Sequence, residues 1–249
     1  MNTELSDRFL TAFCNLEDDL RRITGVGPHE SFSFLLDHVA RTNKAYAHYR
    51  EDLKEYAELR NAIVHKRIGD KAIAEPHPEV VERIESIVKI VTQAPTLEHF
   101  FRKHVTYCGP DDSLKHILDL LLKGRFNQIP VYSGKRLVGL LTSDAIALWL
   151  ANVFQTSECI DLQTRVREML HYASSCDDYL VLGCSSTIFD AIGAFEDGYK
   201  RGKHLKAIII TESGKNDEHP VGIVTTLEVP RLITLVNPEA SSPISRNRH

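Results

Sequence analysis

From Thr3 to about Thr24 the apolar positions Leu5, Phe9, Leu10, Phe13, Leu16 and Leu20 recur at steps of three and four, the spacing of an amphipathic helix. Gly25 to Pro28 ends that pattern. Ser31 is placed to cap a second helix carrying Phe34, Leu35, Val39 and Ala40. Tyr46 to about Val64 reads as a third, with Glu51, Asp52, Lys54, Glu55 and Glu58 on its polar side. Pro76 and Pro78 bracket the start of a fourth, Glu79 to about Thr92, whose apolar face is Val80, Ile84, Ile87, Val88 and Val91. Residues 1–95 are therefore expected to form an all-helical domain.

Beyond Pro95 the period changes from helical to alternating. Gln128 to Tyr132 and Leu137 to Thr142 are short β-rich runs joined by Ser133-Gly134-Lys135, a hairpin. With Val105 to Tyr107 as an opening strand, a helix over 113–123 and another over 144–152, the order is β-α-β-β-α. The order then recurs: a strand over 179–183, a helix over 187–200, a hairpin from Ala207–Thr211 and Pro220–Thr225, and a closing helix from Leu227 to Val236. Val138-Gly-Leu-Leu-Thr142 aligns with Val221-Gly-Ile-Val-Thr225, and Ile129-Pro-Val131 with Ala207-Ile-Ile209, the second copy having a longer hairpin loop. The fold class expected is α+β, with copies over about 96–155 and 165–236 and a disordered tail over 237–249.

Composition narrows the function classes. Lys and Arg total 30 against 34 Asp and Glu, a formal charge of -4, and neither half is basic, so charge does not support RNA or DNA as a partner. The five cysteines are odd in number and lack C-x-x-C or zinc-ligand spacing, which points to a reducing, cytoplasmic setting with no metal. The most apolar stretch, Leu137 to Phe154, is split by Ser143 and Asp144 into strand and helix, so no membrane span or signal peptide is expected.

The duplicated unit, with Ile-Pro-Val on its middle strand and Gly-h-h-Thr before its last helix (h, apolar), resembles the CBS domain. That resemblance implies a tandem pair, or Bateman module, over 96–236. It also implies an adenine nucleotide (AMP, ADP, ATP or cyclic di-AMP) as regulatory ligand between the copies, no required cofactor, and a homodimer. Some such pairs bind nothing and serve only as dimerisation modules. A nucleoside site needs an apolar slot, hydroxyl partners and phosphate donors. The middle strands supply Gln128, Ile129, Pro130 and Val131, and Lys206, Ala207 and Ile208. The strand-to-helix junctions supply Thr142, Ser143 and Asp144, and Thr225 and Thr226. The opening strands supply Thr106 and Cys108, and Leu182 and Gly183. The family's ribose-binding acid falls three residues after the junction threonine. That position is Glu228 in the second copy but Ala145 in the first, with Asp144 about 100° away on the helix. The weight therefore falls on a site using Thr225, Thr226 and Glu228, with Lys200, Arg201, Lys203, His204 and Lys206 near the phosphates.

At the end of the third helical run, Arg60-Asn61 with His65 resembles the R-N-x-x-x-H motif of HEPN domains, all-helical domains that often cleave RNA without metal. The resemblance implies Arg60 as phosphate holder and His65 as acid or base, with Asn61 on the same face as His65. Beside that reading stands a structural one, in which Arg60 pairs with a nearby acid and Asn61 packs.

Overall fold

The structure, a computed structural model, describes residues 3–27, 29–65, 67–68, 71–72, 74–156, 159–173 and 178–237. It divides into two compact units: residues 1–95 with 188–190 and 230–249, and residues 96–187 with 191–229. The second unit thus ends at Val229, inside the expected closing helix, whose residues from Pro230 onward group with the helical unit. Most of the tail expected over 237–249 lies outside the described residues.

In the helical unit, α1 (Thr3–Thr24) buries Phe9, Phe13, Leu16 and Leu20, the face its periodicity marks. Helix α2 (Phe32–Ala40) starts at Ser31, whose hydroxyl accepts the Phe34 N–H at 3.2 Å. The third helical run is two helices, α3 (Lys44–His48) and α4 (Arg50–His65), and it begins earlier than its apolar pattern suggests. Asn43 explains the early start: its side chain accepts from Ala45 N and Tyr46 N at 3.0 and 3.3 Å. Tyr49 explains the break, since its φ/ψ of -98/14 leaves the helical region while its hydroxyl donates to the Val236 carbonyl of the closing helix. Phe189 stacks edge-on against Tyr49 in the same unit. A ribbon of β1 (Arg67–Ile68) and β2 (Lys71–Ala72) follows, then α5 (Pro78–Thr92), with Pro78 at its first turn and Val81, Ile84, Ile87 and Val91 buried. Buried Asp19 accepts from the Tyr46 hydroxyl at 2.6 Å and pairs with Arg22, so its carboxylate is compensated.

The second unit opens with α6 (Leu97–Phe101), a short turn that the sequence pattern does not announce. Helix α7 (Leu114–Gly124) is capped by Ser113 and precedes the hairpin of β3 (Gln128–Ser133) and β4 (Arg136–Thr142). Helix α8 (Ser143–Gln155) completes the first copy, and α9 (Val166–Leu170), in the stretch expected to open the second, packs Val166 and Met169 into the first copy's core instead. That core gathers Leu114, Ile117, Ile129, Val131, Leu141, Trp149 and Met169. The expected opening strand over 105–107 does not form; only Cys108 joins the sheet, bonding Pro130 O and Tyr132 N at 3.0 and 2.8 Å. In the second copy the opening strand is complete. There β5 (Tyr179–Gly183) runs parallel to β6 (Ala207–Thr211), with α10 (Ile188–Lys200) between them in sequence, and β7 (Gly222–Thr225) closes the sheet antiparallel to β6. A 3-10 turn, Thr226–Glu228, leads into α11 (Val229–Val236), so regular helix starts two residues after Leu227.

The sheet registers also correct the alignment of the copies. Gln128 pairs with Thr142 as Ala207 pairs with Thr225, and Cys108 bridges Val131 as Leu182 pairs with Ile210. Ile129-Pro-Val131 therefore matches Ile208-Ile-Ile210, one residue later than the apolar pattern suggests. The apolar run Ala207–Ile210 of β6 offers no feature by which sequence could fix its register.

Candidate functional site

A cleft of about 240 Å³ opens in the second unit between the copies. One wall comes from Lys103 to Thr106 and from Arg125 to Gln128 with Pro130; the other comes from Ile223, Thr225, Leu227 and Glu228. Strand alternation decides which residues of β3 reach it: Gln128 and Pro130 line the cleft, while Ile129 and Val131 turn into the core at 0% exposure. The corner at Arg125 is a left-handed cap, φ 50, after Gly124. A Cβ on Gly124 would meet the Phe126 ring at 2.0 Å, so glycine is what lets Phe126 fold back there.

Thr225 and Glu228 form a reciprocal cap at the other wall. The Thr225 N–H donates to Glu228 Oε2 at 2.8 Å, the Thr225 hydroxyl donates to the same oxygen, and the Thr225 oxygen accepts from Leu227 N at 3.3 Å. Glu228 Oε1 lies 3.9 Å from the Lys103 ammonium. One carboxylate oxygen is thus committed to the fold and the other faces a cation at the cleft. Lys103, His104 and Arg125 are exposed and give this wall a positive character. Sequence reasoning did not single them out, although Lys103 and His104 immediately precede the expected opening strand and Arg125 follows α7.

Of the expected ligand contacts, Thr106, Gln128, Pro130, Thr225 and Glu228 are together in this cleft. Ala207 and Ile208 are fully buried, and Thr226 is exposed beside the cleft without lining it. Gly183 pairs with Thr211, at the opposite end of the sheet from the Ala207–Thr225 pair, so Leu182 and Gly183 sit about 10–13 Å from the junction by strand rise. In the first copy Thr142 is buried and caps α8 through Ala145 N at 3.2 Å, and Ser143 bonds Asn127 O. Asp144 pairs with Lys206 at 3.2 Å. Lys200, Arg201, Lys203 and His204 do not line the cleft; Lys200 lies 4.0 Å from Glu196.

Cys108 packs in the first-copy core, and burial, with the Asp112 charge adding to it, pushes its thiol up to about 12. At pH 8 iodoacetamide is expected to alkylate the exposed Cys14 and Cys159 and leave Cys108 unmodified in the folded protein. Peptide mass spectrometry checks this, and rapid modification of Cys108 would contradict its placement.

In the helical unit Arg60 Nη1 donates to Asn61 Oδ1 at 3.2 Å, and its guanidinium lies 6.0 Å from the Phe13 ring centroid. The side chain of His65 lies outside the described residues. Among the described residues no group of His, Cys, Asp and Glu could hold a metal ion, and no helix is long and apolar enough to cross a membrane.

The cleft lies at the edge of a segment with a clear family relationship, since residues 97–152 match the CBS domain family model. That segment is a CBS domain. No curated protein matches the chain in sequence. Among solved structures, the CBS domain pair of protein MJ0100, in complex with 5′-methylthioadenosine and S-adenosyl-L-methionine, is similar at 17% identity and a TM-score of 0.43, covering 58% of this chain and 99% of its own. CBSX2 in complex with AMP is similar at 17% identity and 0.41, over 57% and 98%. The CBS domain of the bacterial CNNM/CorC family Mg2+ transporter in complex with ATP is similar at 17% and 0.41, over 63% and 97%. Within this chain's CBS domain, Thr106, Gln128 and Pro130 face the cleft; Thr225 and Glu228 come from the segment that repeats it.

Proposed function

We propose that the chain is a regulatory protein that binds an adenine nucleotide in the cleft between Thr106, Gln128 and Pro130 of the CBS domain and Thr225 and Glu228 of its repeat. The observation that carries this reading is the juxtaposition itself: an apolar slot, a carboxylate oxygen and a positive rim converge from two copies of one motif. The base fits against Pro130 and Ile223, the ribose hydroxyls reach Glu228 Oε1, and the phosphates meet Lys103 and Arg125. At about 240 Å³ the cleft is smaller than the ~300 Å³ at which ligand pockets usually begin, which suits partial enclosure with the phosphates at the mouth. No cofactor is required. The protein acts as a homodimer, with exposed Leu118 and Leu122, one turn apart on α7, as an apolar contact. The signal passes to the helical unit or to a partner, because Glu228 is followed directly by α11, whose residues from Pro230 belong to the helical unit.

Thermal melting with and without millimolar AMP, ADP, ATP and cyclic di-AMP tests the reading. Saturation to about 100 times Kd stabilises a one-site protein by about 2.7 kcal/mol, so at least one of the four is expected to raise Tm by several degrees. An unchanged Tm with all four overturns the proposal.

A further inference from the structure

The corrected sheet register makes the two sides of the repeat comparable residue by residue. On it, His104 corresponds to Asp178, Asn127 to Lys206, and Leu227 to Asp144. The three first-named residues line the described cleft and form no ion pair with one another. Their counterparts form a closed ionic set. Lys206 Nζ lies 3.2 Å from Asp144 Oδ2 and 3.4 Å from Asp178 Oδ2, and the Lys206 side chain is only 23% exposed. The Lys206 backbone is held as well: its N–H donates to Asp178 O at 2.7 Å and its carbonyl accepts from Gln128 Nε2 at 3.3 Å.

The two sides of the repeat therefore carry different charged sets. One side presents Lys103, His104 and Arg125 around Glu228; on the other, among the described residues, Asp144 and Asp178 flank Lys206. Asp178 is 7% exposed and its Oδ2 makes no hydrogen bond of good geometry, so among the described residues the Lys206 ammonium ion is the charge that compensates it. Displacing Lys206 would leave that carboxylate buried without a counter-charge. An entering phosphate would then meet two carboxylates.

We infer that Lys206 is the resident occupant of the second interrepeat cleft and restricts the module to one anionic ligand per chain, bound in the cleft of Lys103 and Arg125. The inference rests on the nucleotide reading for its ligand, but the lock itself is measurable without one. In a melting cycle of Lys206→Met, Asp178→Asn and the double variant, the losses in Tm are expected to overlap, with the double variant falling little further than the worse single one. Additive losses overturn the lock, whatever nucleotide does.

Calorimetric titration with the nucleotide that shifts Tm, or with AMP if none does, supplies the second arm. The wild type is expected to take one equivalent per chain. The triple variant Lys206→Asn, Asp144→Leu, Asp178→His, which transplants the residues of the first cleft, is expected to take a second, weaker one. Two equivalents in the wild type, or one in a triple variant that still melts cooperatively, overturns the restriction. A wild type that gives no binding heat overturns the nucleotide reading, and the melting cycle then decides the lock alone.

Discussion

Replacing Glu228 with alanine is expected to weaken nucleotide binding by roughly 10- to 100-fold and to lower the melting temperature of the free protein as well. Both effects follow from the division of labour between the two carboxylate oxygens. Oε2 receives the Thr225 N–H and hydroxyl, so the substitution removes a reciprocal cap whose loss typically costs about 0.5–2 kcal/mol. Oε1 faces Lys103 at the cleft and is the acceptor assigned to the ribose. A hydrogen bond to a charged group contributes about 1.5–3 kcal/mol, which converts to the stated loss of affinity. Glu228→Gln separates the two, because its amide oxygen can still accept from Thr225 while the charge is gone. Its melting temperature is expected to lie near the wild type, with affinity between the wild type and Glu228→Ala. Calorimetry and melting on the three proteins check this. Affinity unchanged in Glu228→Ala places the ribose elsewhere.

The asymmetry between the copies was legible in the sequence at one position and hidden at others. Ala145 against Glu228 is a difference of residue type at an aligned site, and a single sequence displays it. Lys206 gave no comparable sign. It stands in a run of basic residues, and only the sheet register sets it opposite Asn127 and beside two carboxylates contributed by Asp144 and by Asp178, 62 and 28 positions away in the chain. Strands were legible where alternation or β-branched runs were strong, as in β3, β4 and β6. The segment over 105–107 has the composition of a strand but joins no ladder, which only Cys108 after it does, so propensity exceeded what the fold uses. The helical periods placed α1 and α5 within a residue or two. They missed the break at Tyr49, which depends on a hydroxyl meeting a carbonyl 187 positions later. Local patterning thus reached the elements and the strand-to-helix junctions. Charge compensation across the clefts and the assignment of α11 to the helical unit depend on long-range packing, which no spacing along the chain encodes.

The same limit governs the two motif glycines, which look alike in sequence and are expected to differ sharply when substituted. Gly139 and Gly222 occupy the same place in the repeated Val-Gly-h-h-Thr segment. A Cβ on Gly139 would come within 3.1 Å of Leu170 Cδ2, the mobile end of a leucine side chain that can turn away. A Cβ on Gly222 would lie 2.4 Å from the Phe101 carbonyl oxygen, which is backbone and cannot rotate aside. That carbonyl is held where Gly222 bridges Arg102 and where the Lys103 N–H donates to Val221 O at 3.0 Å. Relief therefore requires separating β7 from the segment that carries Lys103 to Thr106, the two walls of the cleft. Overpacking of this kind costs about 1–3 kcal/mol. At about 2–4 °C per kcal/mol for a chain of this size, Gly222→Ala is expected to lower Tm by several degrees and Gly139→Ala by no more than one or two. Gly222→Ala should also weaken nucleotide binding, although residue 222 touches no ligand in the proposed pose, because the spacing between Lys103 and Thr225 changes with it. Equal melting temperatures for the two variants would mean that the close approach of Phe101 to β7 is relieved without strain. A loss of stability in Gly222→Ala with full affinity would show instead that the cleft walls move independently of that strand.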